Sequence, residues 1–385
     1  MKSVEISNSV RKATLAILPK IPQVGSLLSA LVNVLWKEAK EDVWSTVRSR
    51  VEEVVEDKIA ENHLATLEET LKGIQTTLEL LRADFTRDNW RENFNYLNRF
   101  REVFLATNHN ERYQLIILPQ AALFGVLLTI LWKEGKLQDW VNDTHTNSVK
   151  DFYQKLRTLT DTQYQRKIRE LKTQCNWSAS SFHVSEHWQK FVDLHNMFVW
   201  DIYSYIETID GILNDNKEIN QKYEIYGPAI GKMSACKLEN IPIDFRARTI
   251  KKLGVRHGSA IDGLHVVYSD GSTGGAGSSN HGAHSTEIDL TGRYITKIDF
   301  YCRTGNYTKI GGWHEGPAYS EIGKIKFYFS DGNSTECGQN ADGTKSSLEY
   351  EGWCVSWIDG NPTSVYYNLG LQIGLIPVEE YTKLL

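Results

Sequence analysis

A short turn-forming segment, Gly258-Ser259-Ala260-Ile261-Asp262, has residue types and spacing that suit sugar binding. A glycine followed four residues later by an aspartate, where a loop enters a strand, can direct a backbone N–H and a carboxylate towards vicinal hydroxyls. Sugar sites place such polar groups beside an aromatic surface, and Tyr268, Trp313 and Tyr319 are near in sequence. The alternative is an ordinary turn in which Asp262 accepts from backbone amides. The candidate carbohydrate-binding residues in this segment are Gly258, Ser259 and Asp262.

Two groups of histidines have the residue types of a metal site. His183 and His187 are four residues apart near the start of a helix, but the sequence offers no evident third ligand. His281, His284 and Glu287 lie in the stretch GGAGSSNHGAHSTE, which its glycine and serine content predicts to be a flexible loop. We therefore expect neither a metal ion nor a cofactor.

The bulk composition argues against several functional classes. The sequence has no nucleophile elbow, zinc-protease, Walker or dinucleotide-binding motif, so we expect no enzyme, and an enzyme with a helical cap is the disfavoured rival. A net charge of −5 gives no basic field for nucleic acid. Five cysteines without a CxxC pair predict free buried thiols, with one bridge among Cys302, Cys337 and Cys354 as the alternative.

A change in composition divides the chain into two domains and a linker. Residues 1–215 are rich in Leu, Glu, Lys, Arg and Trp, whereas residues 245–385 are rich in Gly, Ser, Tyr, Ile and Thr with short strand-like runs. This predicts an all-α domain, a linker over 216–244 and an all-β domain. The N-terminus lacks a long apolar core ending in a small-residue cleavage site, so we expect a soluble protein released without a secretory signal.

The segment Leu115–Trp132, LIILPQAALFGVLLTILW, carries no charge. A run of about 18 or more apolar residues is a candidate membrane span, although Pro119 and the flanking charges weaken that interpretation. The alternative is the buried central helix of a soluble bundle, and a helix that is sheathed first could enter a membrane later. The residues expected to contact lipid are Leu115, Ile116, Ile117, Leu123, Phe124, Val126, Leu127, Leu128, Ile130, Leu131 and Trp132.

Helical periodicity surrounds this segment with amphipathic helices. Asp88–Ala106 places aromatic residues on one side and charged residues on the other. The short link that follows predicts an antiparallel hairpin with the apolar helix. Further helices are predicted over Val24–Lys37, Glu41–Leu81 with a break near Glu61–His63, Ser148–Thr173 and Glu186–Leu213.

The second domain repeats itself. Arg248–Gly258 recurs as Arg293–Gly305, and Leu264–Ser272 recurs as Ile325–Asn333, each ending in an S-D-G turn whose glycine is free to take positive φ. A degraded third unit fits Leu348–Ile373. Three units predict a β-prism of three sheets, and a two-sheet jelly-roll sandwich is the alternative.

These strands resemble a known family of lectins. VRHGSAIDGLHVVYSDGS resembles the first unit of jacalin-related lectins, in which a G-x-x-x-D segment helps to bind sugar, and YITKIDF with IGKIKFYFSDG resembles the middle unit. In the last unit the family's Gly-aromatic-Asp segment reads Val365-Tyr366-Tyr367-Asn368 after Gly360, with Asn where Asp is expected. The resemblance therefore implies three further candidates, Gly360, Tyr366 and Asn368, and leaves Gly258 and Asp262 as the better-preserved pair.

The helical half resembles the pore-forming first domain of three-domain insecticidal crystal toxins. IPQVGSLLSALVNVLW is similar to their opening residues, and Asp88–Ala106 with Arg112–Trp132 is similar to the hairpin believed to enter the membrane. The whole arrangement resembles the B subunit of Pir-type binary insecticidal toxins, through ILPQAAL, YGPAIG, YFSDG and GWCVSW.

The resemblance implies a pore-forming insecticidal toxin that acts at a target-cell membrane. Its partners would be a cell-surface glycan or glycoprotein receptor, membrane lipids, a small partner subunit and further copies of itself in a homo-oligomeric pore. The hairpin of about residues 88–132 would insert. The alternative function is a carbohydrate-binding lectin whose helical half is only a structural or oligomerising module.

Overall fold

The chain folds into two compact units, seen here in a computed structural model. One unit comprises Met1–Ile168 and Asn196–Gln221, and the other comprises Arg169–His195 and Lys222–Leu385. The expected helix Val24–Lys37, the first part of Glu41–Leu81 and most of the linker lie outside the described residues. The structure describes residues 61–105, 111–177, 181–215, 223–228, 230–231, 246–278, 282–305, 319–339, 343–360 and 369–385.

The described part of the chain up to residue 215 is helical, as expected. Thr86 caps one of its helices, because the Thr86 hydroxyl accepts a hydrogen bond from the Asn89 N–H at 3.4 Å. A π-helical turn, Val199–Tyr203, separates the last two helices of this part of the chain. The helices are α1 Glu61–Ala83, α2 Arg87–Arg99, α3 Arg101–Leu105, α4 Glu111–Leu137, α5 Asp143–Trp177, α6 Ser181–Phe198 and α7 Ser204–Leu213.

Helix α4 contains the charge-free segment and is the most buried helix of the described bundle. Every residue from Gln114 to Gly135 is buried, which confirms the central helix expected from the sequence. Two glycines let its neighbours approach closely: a Cβ on Gly125 would lie 2.7 Å from Ile209 Cδ1, and a Cβ on Gly135 would lie 2.3 Å from the Trp90 ring. Close packing of this kind leaves little room for larger residues.

The second unit contains three antiparallel four-stranded sheets. The orders are β5-β4-β3-β6, β10-β7-β8-β9, and β1-β12-β11 with β2 also on β12. The C-terminal helix α8, Val378–Leu384, follows the last strand. The strands are β1 Ile225–Tyr226, β2 Ile230–Gly231, β3 Ile250–His257, β4 Ile261–Tyr268, β5 Thr273–Gly277, β6 His284–Asp289, β7 Ile295–Gly305, β8 Tyr319–Phe329, β9 Ser334–Cys337, β10 Thr344–Leu348, β11 Trp353–Gly360 and β12 Gly370–Pro377.

The repeat predicted from the sequence is confirmed in the sheets. Strands β3 and β4 hold the same places in the first sheet as β7 and β8 in the second. Both S-D-G turns end in a glycine of positive φ, +81° at Gly271 and +82° at Gly332. Strand β11 contacts β5 and β7, and β4 contacts β8, so each sheet touches the other two. This is the three-sheet prism and not the two-sheet sandwich.

The glycine-rich stretch 274–287 was expected to be a flexible loop, and this expectation is wrong for most of it. Gly274–Gly277 lies in β5, paired with β4, and His284 and Glu287 lie in β6, paired with β3. Gly275 and Gly277 take positive φ of +133° and +78°, which glycine tolerates without strain. Ladder hydrogen bonds use backbone groups only, so pairing with a neighbouring strand overrides the weak strand propensity of glycine.

Candidate membrane-inserting helices and candidate glycan site

Helix α2 is attached to α4 by specific contacts. The Trp90 indole N–H donates to the Leu131 carbonyl at 2.8 Å. Further along the pair, the Phe104 ring of α3 stacks on Phe124 of α4, with centroids 4.4 Å apart and planes at 17°. Both aromatic residues are fully buried. The contacts make α2, α3 and α4 one packed group.

The outer face of α2 and α3 is polar. Arg91, Glu92, Asn95 and Arg99 are exposed, while Trp90, Phe94 and Leu97 are buried against the bundle. Val103 was expected on the apolar side and is 45% exposed. Phe104, seven residues after the buried Leu97, stays on the buried face, whereas Val103 lies four residues after the exposed Arg99 and therefore falls on the polar side. The hairpin thus has one apolar and one polar face.

Several polar side chains of α4 are buried but bonded. Gln114 Oε1 accepts from Gln163 Nε2 at 2.7 Å, and the Thr129 hydroxyl donates to the Gly125 carbonyl at 2.7 Å. Lys133 pairs with Asp215. Burial, helped by the neighbouring Lys136, lowers the Lys133 pKa. These bonds hold the helix in the soluble fold.

Helix α5 holds the hairpin through few polar contacts. Arg101 Nη1 donates to the Ser148 carbonyl at 2.8 Å and lies 3.8 Å from an Asp151 oxygen. Lys155 lies 3.4 Å from Glu102. The pair of Lys155 and Glu102 is exposed, and exposed ion pairs contribute little stability.

Within the described residues, one helix meets the length and composition of a membrane span. It is Gln114–Leu137, 24 residues long and buried from Gln114 to Gly135. The core helix of a soluble protein meets the same criterion, so this observation alone does not establish insertion. The finding does place a membrane-length apolar helix next to an amphipathic one.

In the second unit, Asp262 occupies a β-bulge. The pairing of β3 with β4 passes from Arg256–Gly263 to His257–Ile261, so Asp262 is the extra residue on β4. Bulges occur next to functional sites and redirect a side chain. The second sheet has the same shift, from Tyr301–Lys324 to Cys302–Ile322. Gly323 is the extra residue there. The two repeats therefore share the bulge, but only the first has a carboxylate at this position.

Two histidines lie beside this bulge. The His257 and His284 rings are 5.7 Å apart, and His257 Nε2 lies 2.9 Å from the Thr286 hydroxyl. Partial burial and the neighbouring His284 lower the His257 pKa, while Asp262 raises it. A Cβ on Gly282 would lie 3.0 Å from Asp262 Oδ2 and from the His257 N. The histidines therefore form part of the surroundings of Asp262.

Leu369, the first described residue after the β11–β12 connection, lies close to the strand segment that carries Asp262. A Cβ on Gly277 would lie 2.3 Å from the Asp262 carbonyl and 2.9 Å from Leu369 Cδ1, and Leu369 directly follows the β11–β12 connection. Gly258, whose N–H donates to the Ala260 carbonyl at 2.8 Å, and Ser259 form the adjacent turn. Tyr366 and Asn368 lie outside the described residues.

Gly360 has a packing explanation. It is buried at the end of β11, where a Cβ would lie 2.0 Å from the Gly370 carbonyl and 2.6 Å from Ala276 Cβ. Tyr268, named above as a nearby aromatic surface, is 1% exposed and donates to the Ile358 carbonyl at 3.1 Å. It is therefore a core residue and no surface for a sugar. Trp313 lies outside the described residues.

A groove of about 370 Å³ begins beside Asp262. Gly263 and Ser278, which line it, flank the bulge, and the Ser278 N–H donates to the Asp262 carbonyl at 3.0 Å. Arg256 and Glu287 give the groove its charged groups, and His265 adds an imidazole ring. Sequence reasoning missed this groove because its lining comes from four strands.

A buried polar cluster in the second unit was also missed. The wholly buried Glu224 accepts from Arg246 at 2.6 Å, Ser356 at 2.6 Å and Tyr226 at 3.0 Å. Its backbone carbonyl lies 2.6 Å from Nε2 of the buried His195 on α6. Within the described residues, Cys302, Cys337 and Cys354 are free thiols, and no three His, Cys, Asp or Glu side chains form a metal-binding group. The side chains of His183 and His187 are not described.

Comparisons with known proteins agree with this architecture. Residues 14–174 match the model of the delta endotoxin N-terminal domain. Cry8Ea1, an insecticidal delta-endotoxin from Bacillus thuringiensis, has 15% identity and a TM-score of 0.71, over 98% of this chain and 73% of that one. PirB has 16% identity and a TM-score of 0.72, over 97% and 96%.

A mannose-binding jacalin-related lectin from Ananas comosus has 20% identity and a TM-score of 0.29, over 40% of this chain and 98% of the lectin. No curated protein sequence matches the chain. Neither the family nor the fold is known for an enzymatic activity. The resemblance to crystal toxins and Pir-type subunits is confirmed: residues 14–174 match the delta endotoxin N-terminal domain, and the chain has the fold of Cry8Ea1 and PirB.

Proposed function

We propose that the protein is a pore-forming insecticidal toxin that binds a cell-surface glycan or glycoprotein through its β-prism. The α2–α4 hairpin then enters the membrane. The observation that carries this proposal is the membrane-length α4, buried from Gln114 to Gly135 and packed against α2, whose other face is polar. A helix satisfies its own backbone hydrogen bonds in lipid, so the hairpin can span while the polar face of α2 lines a lumen.

The energetic balance favours a triggered opening over spontaneous insertion. Leaving the bundle exposes the apolar face of α4, which costs about 25 cal/mol per Å² of apolar surface. Burial of the same surface in lipid regains a similar free energy. The soluble and inserted states are therefore comparable in stability, and a barrier separates them. Binding of a receptor to the prism would concentrate the protein at the membrane, where lipid can bury the apolar surface of α4. A small partner subunit, implied by the resemblance to Pir-type toxins, is a further proposal.

A disulfide tether tests the insertion step. The double variant Gly125→Cys/Ile209→Cys would join α4 to α7, since a Cβ on Gly125 would lie 2.7 Å from Ile209 Cδ1. Shortening Ile209 removes that contact, and the edge of the Phe152 ring, 2.9 Å from the same Cβ, must shift slightly. The five native cysteines are first replaced by alanine. We expect the oxidised protein to bind cells but not to release dye from vesicles of insect gut lipid, and leakage to return with reductant.

The matched control is the double variant Gly125→Ser/Ile209→Ser, which makes the same change of volume without a pair of thiols and should leak with or without reductant. If the oxidised double variant permeabilises vesicles at the rate of its reduced form, the hairpin does not insert. The glycan-binding lectin without pore activity would then be the better function. The bulge carboxylate of Asp262 beside an open groove favours that second candidate, and glycan binding without leakage by the native protein would select it.

A further inference from the structure

Gln120 is a polar residue of α4 to which the soluble fold gives no role. Its side chain is 1% exposed, and its Oε1 has no hydrogen-bond partner among the described residues. A buried amide oxygen without a donor destabilises a fold. Gln114 and Thr129 on the same helix are bonded, as described above. Gln120 is therefore an exception within its own helix.

The residue before Gln120 is a proline, and it leaves a backbone carbonyl of α4 without its usual helical donor. Pro119 has no N–H, so it cannot donate to the carbonyl of Leu115 four residues earlier, as a helix requires. Adjacent turns of α4 thus carry an acceptor freed by proline and an amide with both donor and acceptor atoms. Both lie in the charge-free run that would cross the membrane.

In lipid these groups need a partner from another helix. Hydrocarbon supplies neither donors nor acceptors, and amide side chains in spanning helices bond to neighbouring helices. Helices α2 and α3 already pack on α4 through Trp90 and Phe104, and neither supplies a donor to Gln120 Oε1 in the described structure. If the hairpin inserts with these contacts intact, the partner must come from outside it.

We propose that Gln120 is the contact through which inserted α4 helices of separate copies of this chain associate. A primary amide is self-complementary, so two copies related by symmetry satisfy each other with the same residue. The freed Leu115 carbonyl accepts a further N–H of the neighbouring amide. This inference rests on the proposed insertion of the hairpin.

The test compares Gln120→Met and Gln120→Leu with the native protein on insect gut lipid vesicles. Both variants keep the side-chain volume and remove the unpartnered oxygen, so the melting temperature should not fall. Chemical cross-linking of vesicle-bound protein should show fewer oligomers. The concentration for half-maximal leakage should rise about tenfold, the effect of one interhelical amide contact. Gln120→Asn, which retains the amide, should recover part of the loss.

Thr129→Val is the matched control, because Thr129 is equally buried but bonds within its own helix. It should oligomerise and leak like the native protein. Native leakage together with unchanged oligomers and unchanged leakage in both Gln120→Met and Gln120→Leu would overturn this inference and leave the pore-forming proposal standing. Absence of leakage from the native protein would overturn both.

Discussion

The indole N–H of Trp90 donates to the backbone carbonyl of Leu131, 2.8 Å away, in the helix that would enter the membrane. A Cβ on Gly135 would lie 2.3 Å from carbon atoms of the same ring, so the ring occupies space that a side chain at this position would need. One tryptophan therefore contributes both a hydrogen bond and a close contact to the α2–α4 pair, and the two effects can be separated by substitution.

We expect Trp90→Phe to lower the free energy of unfolding by about 1 kcal/mol, since it removes the hydrogen bond and keeps most of the ring. Gly135→Ala should cost about 1–3 kcal/mol, because the ring must shift. Gly73→Ala in α1 is the control, as its Cβ would come only within 3.3 Å of the Tyr96 hydroxyl. Chemical denaturation followed by circular dichroism measures all three. A Gly135→Ala protein as stable as the control would refute the close contact.

Asp262→Ala should weaken binding to a glycan array or to target cells by about tenfold or more. The carboxylate would accept charge-assisted hydrogen bonds worth about 1.5–3 kcal/mol each. Glu349→Ala is a matched control, because it removes one exposed negative charge from another sheet. Surface plasmon resonance with the best glycan of the array gives the affinities. Equal binding by Asp262→Ala and the control would mean that sugar is bound elsewhere or not at all.

Buried His195 should make the second unit sensitive to acid. Burial lowers its pKa to about 4, although its bond to the Glu224 carbonyl raises it. The unfolded value is about 6.5, so the unfolded chain binds more protons between these values and stability falls as pH falls. The stability that neutral, buried His195 contributes to the fold is fully present above pH 6.5, and about 3 kcal/mol of it is lost by pH 4.

The comparison that isolates His195 is with His195→Gln, which can still donate to the Glu224 carbonyl. Burial raises the Glu224 pKa, which acts in the opposite direction and is common to both proteins. Scanning calorimetry between pH 7.5 and 4.5 should show a smaller loss of melting temperature in His195→Gln. Parallel curves for the two proteins would remove His195 as the cause.

Two glycines of one sheet should respond oppositely to the same change. A Cβ on Gly254 in β3 would meet nothing nearer than 3.8 Å, whereas a Cβ on Gly263 in β4 would lie 2.4 Å from the Ser278 carbonyl. Gly254→Thr should therefore raise the free energy of unfolding by about 0.5–1 kcal/mol. Gly263→Thr should lower it by about 1–3 kcal/mol, and thermal unfolding reports both. A stabilised Gly263→Thr would contradict the backbone contact.

The sequence predicts the parts of this fold that periodicity and turn chemistry determine. The run Leu115–Trp132 implies a buried helix because it carries no charge and is apolar on nearly every side, and the recurring S-D-G turns reveal the repeated sheets. Strand β5 escapes prediction because glycine carries no periodic signal. The bulge at Asp262 escapes it because the offset between β3 and β4 arises only when the strands pair. For the same reason the closeness of His257 and His284 is invisible in the sequence.

The equivalent bulges of the first and second sheets differ in the groups that they offer. Their extra residues are Asp262 and Gly323, so one bulge offers a carboxylate and the other offers only backbone. If the carboxylate is what holds a sugar, these two repeats together provide one attachment point. Binding through that point alone would coat a cell without bridging it to another, and clumping of cells would then report the assembly of several copies.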